Sequence, residues 1–141
     1  MKRSILALLL LLSSISYAQN ITINELDVDT DGVDDKEFIE LRTANPNTSL
    51  NGHVMVLFNG SSSGGNQSYI AYTLDGITTD INGIAVLGGP ELTPSADEIL
   101  PINFFQNGTD AVGIYQGDET DFPDQTLATT NDLVDAIVYE T

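Results

Sequence analysis

Short apolar runs separated by turn dipeptides organise this chain. Asp31-Gly32, Asn51-Gly52, Asn59-Gly60, Asp75-Gly76, Asn82-Gly83 and Asn107-Gly108 punctuate it, and the stretches between them are rich in β-branched and aromatic residues. Asn-Gly and Asp-Gly supply the positive φ that tight hairpins demand, so the pattern predicts an all-β sandwich or barrel. The predicted strands are 21–26, 37–43, 53–59, 68–73, 84–87, 111–116 and 133–139, with a short eighth near 103–105. Ile23 with Glu25, and Val112 with Ile114, alternate as half-buried strands do. Val54-Met55-Val56-Leu57-Phe58 is apolar on both faces and predicts a central, covered strand. Two sheets packed face to face would bury these sets together. Segment 61–66 reads as a flexible Ser/Gly tip, and 88–101 and 117–131 as long connections of the kind that are functional or mobile.

The first 18 residues change the picture. Lys2 and Arg3 precede an apolar run over 5–12, and Ser16-Tyr17-Ala18 places small residues where a signal peptidase reads, which predicts cleavage before Gln19. The run is too short to serve readily as a membrane anchor. The expectation is a signal peptide over 1–18 and one exported, soluble domain over 19–141, with room for a single core. The chain halts just after an apolar strand, which suggests the front of a longer polypeptide.

Beyond residue 18 two cations, Lys36 and Arg42, stand against all 21 carboxylates. Such a field repels phosphate backbones and anionic head groups, so direct nucleic-acid binding is disfavoured. It is compatible either with solubility alone or with divalent-cation binding. Without cysteine, the chain has no disulfide, no thiolate metal site and no cysteine for lipid attachment.

The densest chemistry lies between the first two strands. Asp27, Asp29, Asp31 and Gly32 hold the first, third, fifth and sixth places of a calcium loop, Val33 offers its carbonyl from the seventh, and Asp35 falls at the ninth. The twelfth place falls on Phe38, with Glu37 and Glu40 on either side, so the pattern is not an EF-hand. Two readings stand: Asp27, Asp29, Asp31 and Asp35 bind calcium between two strands, or the loop is a solvated hairpin turned by Asp-Gly. Glu25, Glu37 and Glu40 offer pairs of the kind used in glycoside hydrolysis, or else Glu25 and Glu37 cap strand ends or interact with Arg42 or Lys36 across the hairpin. His53 is the sole histidine, and no nucleophile elbow surrounds a serine, so a structural, turn-flanking histidine outweighs a triad base. One histidine also makes a zinc site a poor reading, and no phosphate loop or dinucleotide fingerprint is present. Tyr69, Tyr72, Tyr115, Phe104, Phe105 and Phe122 suit core burial more than an exposed binding face.

Several segments together carry a resemblance. Ile23-Asn24-Glu25-Leu26, the acidic loop and Glu37-Phe38-Ile39-Glu40-Leu41 resemble the opening of the lamin-tail domain in its bacterial secreted form. Leu50-Asn51-Gly52 leading into 54–60 is similar to that family's second signature, 106–115 to its late hairpin, and 133–139 to its closing strand. The order is kept over nearly all of 21–139; the departure is His53 where the family often carries tryptophan. The resemblance implies an immunoglobulin-like β-sandwich of seven to eight strands, used as an accessory module on exported proteins and bringing no catalytic residues. The expected function is therefore a secreted or cell-surface, non-catalytic binding or positioning module, calcium being its one suggested cofactor. Its partner would be a protein, a surface polymer or a downstream catalytic domain. The alternative is an accessory domain of a secreted nuclease, phosphatase or other hydrolase whose catalytic region lies beyond residue 141.

Overall fold

The computed structural model describes residues 21–141; the expected signal peptide lies outside the described residues. Eight strands follow in chain order: β1 Ile21–Asp27, β2 Phe38–Thr43, β3 His53–Asn59, β4 Gln67–Thr73, β5 Ile84–Gly88, β6 Glu98–Ile99, β7 Asp110–Gln116 and β8 Leu133–Tyr139. A 3₁₀ turn, Glu119–Asp121, precedes β8, and Asp118 caps it by accepting from the Thr120 amide. One sheet has the order β1-β2-β5-β6 and the other β4-β3-β7-β8, all neighbours antiparallel except β5 and β6.

The two sheets share one core, and the architecture is a β-sandwich. Ile39, Leu41 and Leu87 from the first sheet meet Met55, Leu57, Val112 and Ile114 from the second. The central strand is β3, as its two-sided apolar pattern predicts: Val54, Met55, Val56 and Leu57 are fully buried between β4 and β7. Met55 and Leu57 face the shared core, while Val54, Val56 and Phe58 point outward into a second cluster with Tyr115 and Phe122. That second cluster explains why the strand has no polar face.

Segment 117–131 covers the outward cluster, so this long connection is a packed element. It also pairs with the first end of the free edge of β4, where Ser68 donates to the Thr126 carbonyl (2.8 Å), Gln125 to Ser68 (2.9 Å) and Ala128 to Asn66 (2.9 Å). That end of the edge is thereby closed to a foreign strand.

The turn dipeptides behave as expected with one exception. Gly52 and Gly76 have φ of 77° and 88°, and their two turns brace each other: the Gly52 amide donates to Asp75 Oδ1 and the Gly76 amide to Asn51 Oδ1, both at 2.7 Å. Gly60 does not adopt a positive φ. It is glycine because a Cβ there would stand 2.6 Å from the Thr109 carbonyl oxygen, a close approach of two backbones.

The expected eighth strand near 103–105 is absent, and the short strand is Glu98–Ile99, parallel to β5. The reason lies in hydrogen-bond accounting: the amides of Phe104 and Phe105 are both given to the Glu37 carboxylate, which leaves none for a ladder there.

Candidate functional site

The hairpin of β1 and β2 opens after the pair Asp27–Phe38 into the acidic loop. Its organising carboxylate is Asp34, which belongs to none of the calcium-loop positions. Asp34 Oδ1 accepts from the Thr30 amide (3.0 Å), its carbonyl accepts from Asn103 (2.9 Å), and Val28 is buried beneath. Asp27, Asp29 and Asp31 are exposed and Asp35 is half-buried. Asp27 Oδ1 accepts from the Asp29 amide at 3.4 Å, and the Asp35 carbonyl accepts from Glu91 at 3.0 Å. Among the described residues no three His, Cys, Asp or Glu side chains come together as a metal site, so these four aspartates are not gathered on one point.

Glu37 stands at the foot of β2 and is 2% exposed. Its Oε2 accepts from the amides of Phe104 (2.9 Å) and Phe105 (3.4 Å), while Oε1 has no hydrogen-bond partner among the described residues. Burial pushes the carboxyl up to about 7, the two amides oppose that, and nearby Asp34 and Asp27 add to it. Sequence reading placed Glu37 at a strand end beside Lys36 or Arg42; its observed role is to anchor the 101–109 segment from inside. A glutamate directly before an apolar strand was the only available signal, and it does not reveal burial.

The remaining chemical suspects are held by structure. His53 Nδ1 lies 3.2 Å from the Leu50 carbonyl and 3.3 Å from that of Asn51, which ties that nitrogen to its own turn. The aromatics pack on one another: Tyr115 with Phe122 at 4.6 Å between ring centroids, Phe104 with Phe105 at 5.3 Å and with Tyr72 at 5.7 Å. Burial, and then Glu98, push the Tyr72 hydroxyl up to about 12, and this hydroxyl donates to Glu98 Oε1 at 2.7 Å.

Glu25 and Glu40, by contrast, are brought side by side. They are paired across β1 and β2, Glu40 is in turn opposite Val86 on β5, and the inward residues Ile39, Leu41 and Leu87 fix this row on the outer face of the first sheet. A groove of about 240 Å³ lies over them, lined by Glu25, Phe38, Glu40, Val86, Leu92 and the stretch Thr93-Pro94-Ser95. Glu37 is not among its walls, so the three glutamates do not share a cleft.

The groove owes its outer wall to the segment after β5. Gly89 donates to the Glu37 carbonyl (2.8 Å), Glu91 to Asp35 (3.0 Å) and Leu92 to Gly89 (3.2 Å), while Asp97 exchanges two hydrogen bonds with the Val86 backbone at 2.8 and 2.9 Å. A Cβ on Gly88 would meet Leu92 Cδ2 and Phe38 Cβ at 2.9 Å, which shows how closely Leu92 lies on the sheet. Asn24 Nδ2 donates to Glu40 Oε1 at 2.6 Å and fixes one carboxylate. Apolar walls and two neighbouring anions thus form a preshaped surface.

No family model, no curated protein and no solved structure matches the chain, so the lamin-tail resemblance rests on the segments quoted for it.

Proposed function

We propose that the chain is an exported, non-catalytic binding or positioning module, an immunoglobulin-like β-sandwich of the lamin-tail type. The observation that carries this reading is the groove over Glu25 and Glu40, an outward-facing recess on the first sheet whose outer wall is hydrogen-bonded to the sandwich over 89–92. A further placement supports it: Glu37, whose carboxyl burial pushes up to about 7, is closed from solvent. General acid–base catalysis needs such groups within reach of a substrate proton.

In this reading the module holds a protein, a surface polymer or a catalytic domain in position. Calcium is its proposed stabilising ion, drawn to the exposed carboxylates of Asp27, Asp29 and Asp31 together with Asp35. Purified protein assayed against phosphodiester, phosphomonoester and glycoside substrates is expected to show no turnover. Turnover that disappears in Glu37→Gln, with the fold retained by circular dichroism, would overturn the non-catalytic reading.

A further inference from the structure

The groove on the outer face of the first sheet has a composition that selects its occupant. Phe38, Val86, Leu92 and Pro94 give it an apolar lining, and Glu25 and Glu40 stand directly opposite each other within it. Like charges in a cross-strand pair are destabilising on their own. Arg42 stands two residues from Glu40 on the same outer face of β2. Arg42 lies opposite Thr22 and lines a separate depression with Thr22, Thr43 and Ala44, and Lys36 sits in the loop beyond Phe38.

We infer that this groove receives an arginine or lysine side chain carried by a partner polypeptide, its aliphatic stem against Phe38, Leu92 and Pro94 and its cationic head between Glu25 and Glu40. This inference rests on reading the chain as a binding module and names that module's ligand.

Other occupants fit poorly. An aliphatic side chain would cover two carboxylates without pairing them, which costs more than the apolar contact returns. An anion is repelled by both glutamates. A bare divalent cation would find two carboxylates and no third, and would leave the apolar lining unused. A long cationic side chain uses every part of the recess, because its stem packs on apolar surface while its head reaches polar partners. The site is also prepared in advance. Asn24 holds Glu40 and the hydrogen-bonded 89–92 segment holds Leu92, which lowers the ordering cost at these two positions. The acidic chain as a whole would steer a basic segment toward it.

The test is NMR titration of the ¹⁵N-labelled protein with three short glycine-flanked peptides, carrying arginine, its neutral isostere citrulline, or norleucine. The arginine peptide is expected to shift the amides of Glu25, Phe38, Glu40, Val86 and Leu92, and to bind about tenfold more tightly than the other two, the worth of a hydrogen-bonded charge. The Glu25→Gln/Glu40→Gln variant should keep a dispersed spectrum and lose about tenfold in arginine-peptide affinity. Leu92→Ala should weaken binding while leaving both carboxylates in place. Equal binding of citrulline or norleucine overturns the inference, as do shifts elsewhere on the surface or full affinity in Leu92→Ala, which would mark diffuse charge attraction. Those results leave the binding-module reading standing; that reading falls to hydrolytic turnover instead.

Discussion

Glu37 is a buried acid that holds two distant parts of the chain together. It ties β2 to the 101–109 segment from within, yet one oxygen is unpartnered and burial lifts the group from 4.5 to about 7. A carboxyl whose folded value is raised binds its proton more tightly in the native state than in the unfolded chain. Its contribution is therefore fully present below about 4.5 and is lost as pH rises through about 7. Denaturant melts of the parent should show stability falling across that window. Glu37→Gln keeps an acceptor for Phe104 and should flatten the dependence; an unchanged pH slope in the variant would assign the titration to another group. Gly89 is the second single-residue constraint, since a Cβ there would collide with the Asp35 carbonyl and the Lys36 amide. Gly89→Ala should cost about 1–3 kcal/mol, the usual penalty of overpacking, measured as a lower denaturation midpoint at unchanged slope.

At the scale of elements, the 117–131 connection carries the main lesson. Its length, with its load of Asp118, Glu119, Asp121 and Asp124, suggests a functional or mobile connection. It is instead the cover of a second apolar cluster, with Phe122 against Tyr115 and the Tyr115 hydroxyl donating to the Thr129 carbonyl at 2.9 Å. Phe122→Ala should destabilise the protein by about 3 kcal/mol and open this segment to proteolysis ahead of the sandwich. Cleavage elsewhere first would show that the cover is held by its hydrogen bonds to β4 alone. The strand pattern itself was readable: every predicted main strand is present, with ends within a residue or so, because alternation and turn chemistry are local properties of the chain. The eighth strand was misplaced because Phe104-Phe105 has strand-like composition, while the use of its amides is settled by Glu37, which lies 67 positions before Phe104.

Across the whole molecule, 21 carboxylates and two cations beyond residue 18 make charge the quantity to vary. Millimolar calcium should raise the melting temperature of the parent and raise it less in Asp29→Ala or Asp31→Ala. No rise and no heat of binding would reduce the acidic loop to a solvated hairpin. Calcium that gathers the four aspartates would move the loop tip, visible as shifts in the amides of Thr30 and Gly32. Strand positions, the central place of β3, the turn glycines and the acidic character all follow from the order of residues, since each depends on neighbours a few positions apart. The sheet order, the burial of Glu37, the second apolar cluster and the groove over Glu25 and Glu40 do not. Each brings together residues separated by more than a dozen positions, and only packing fixes which carboxylate is covered, which is paired with its like, and which stays in water.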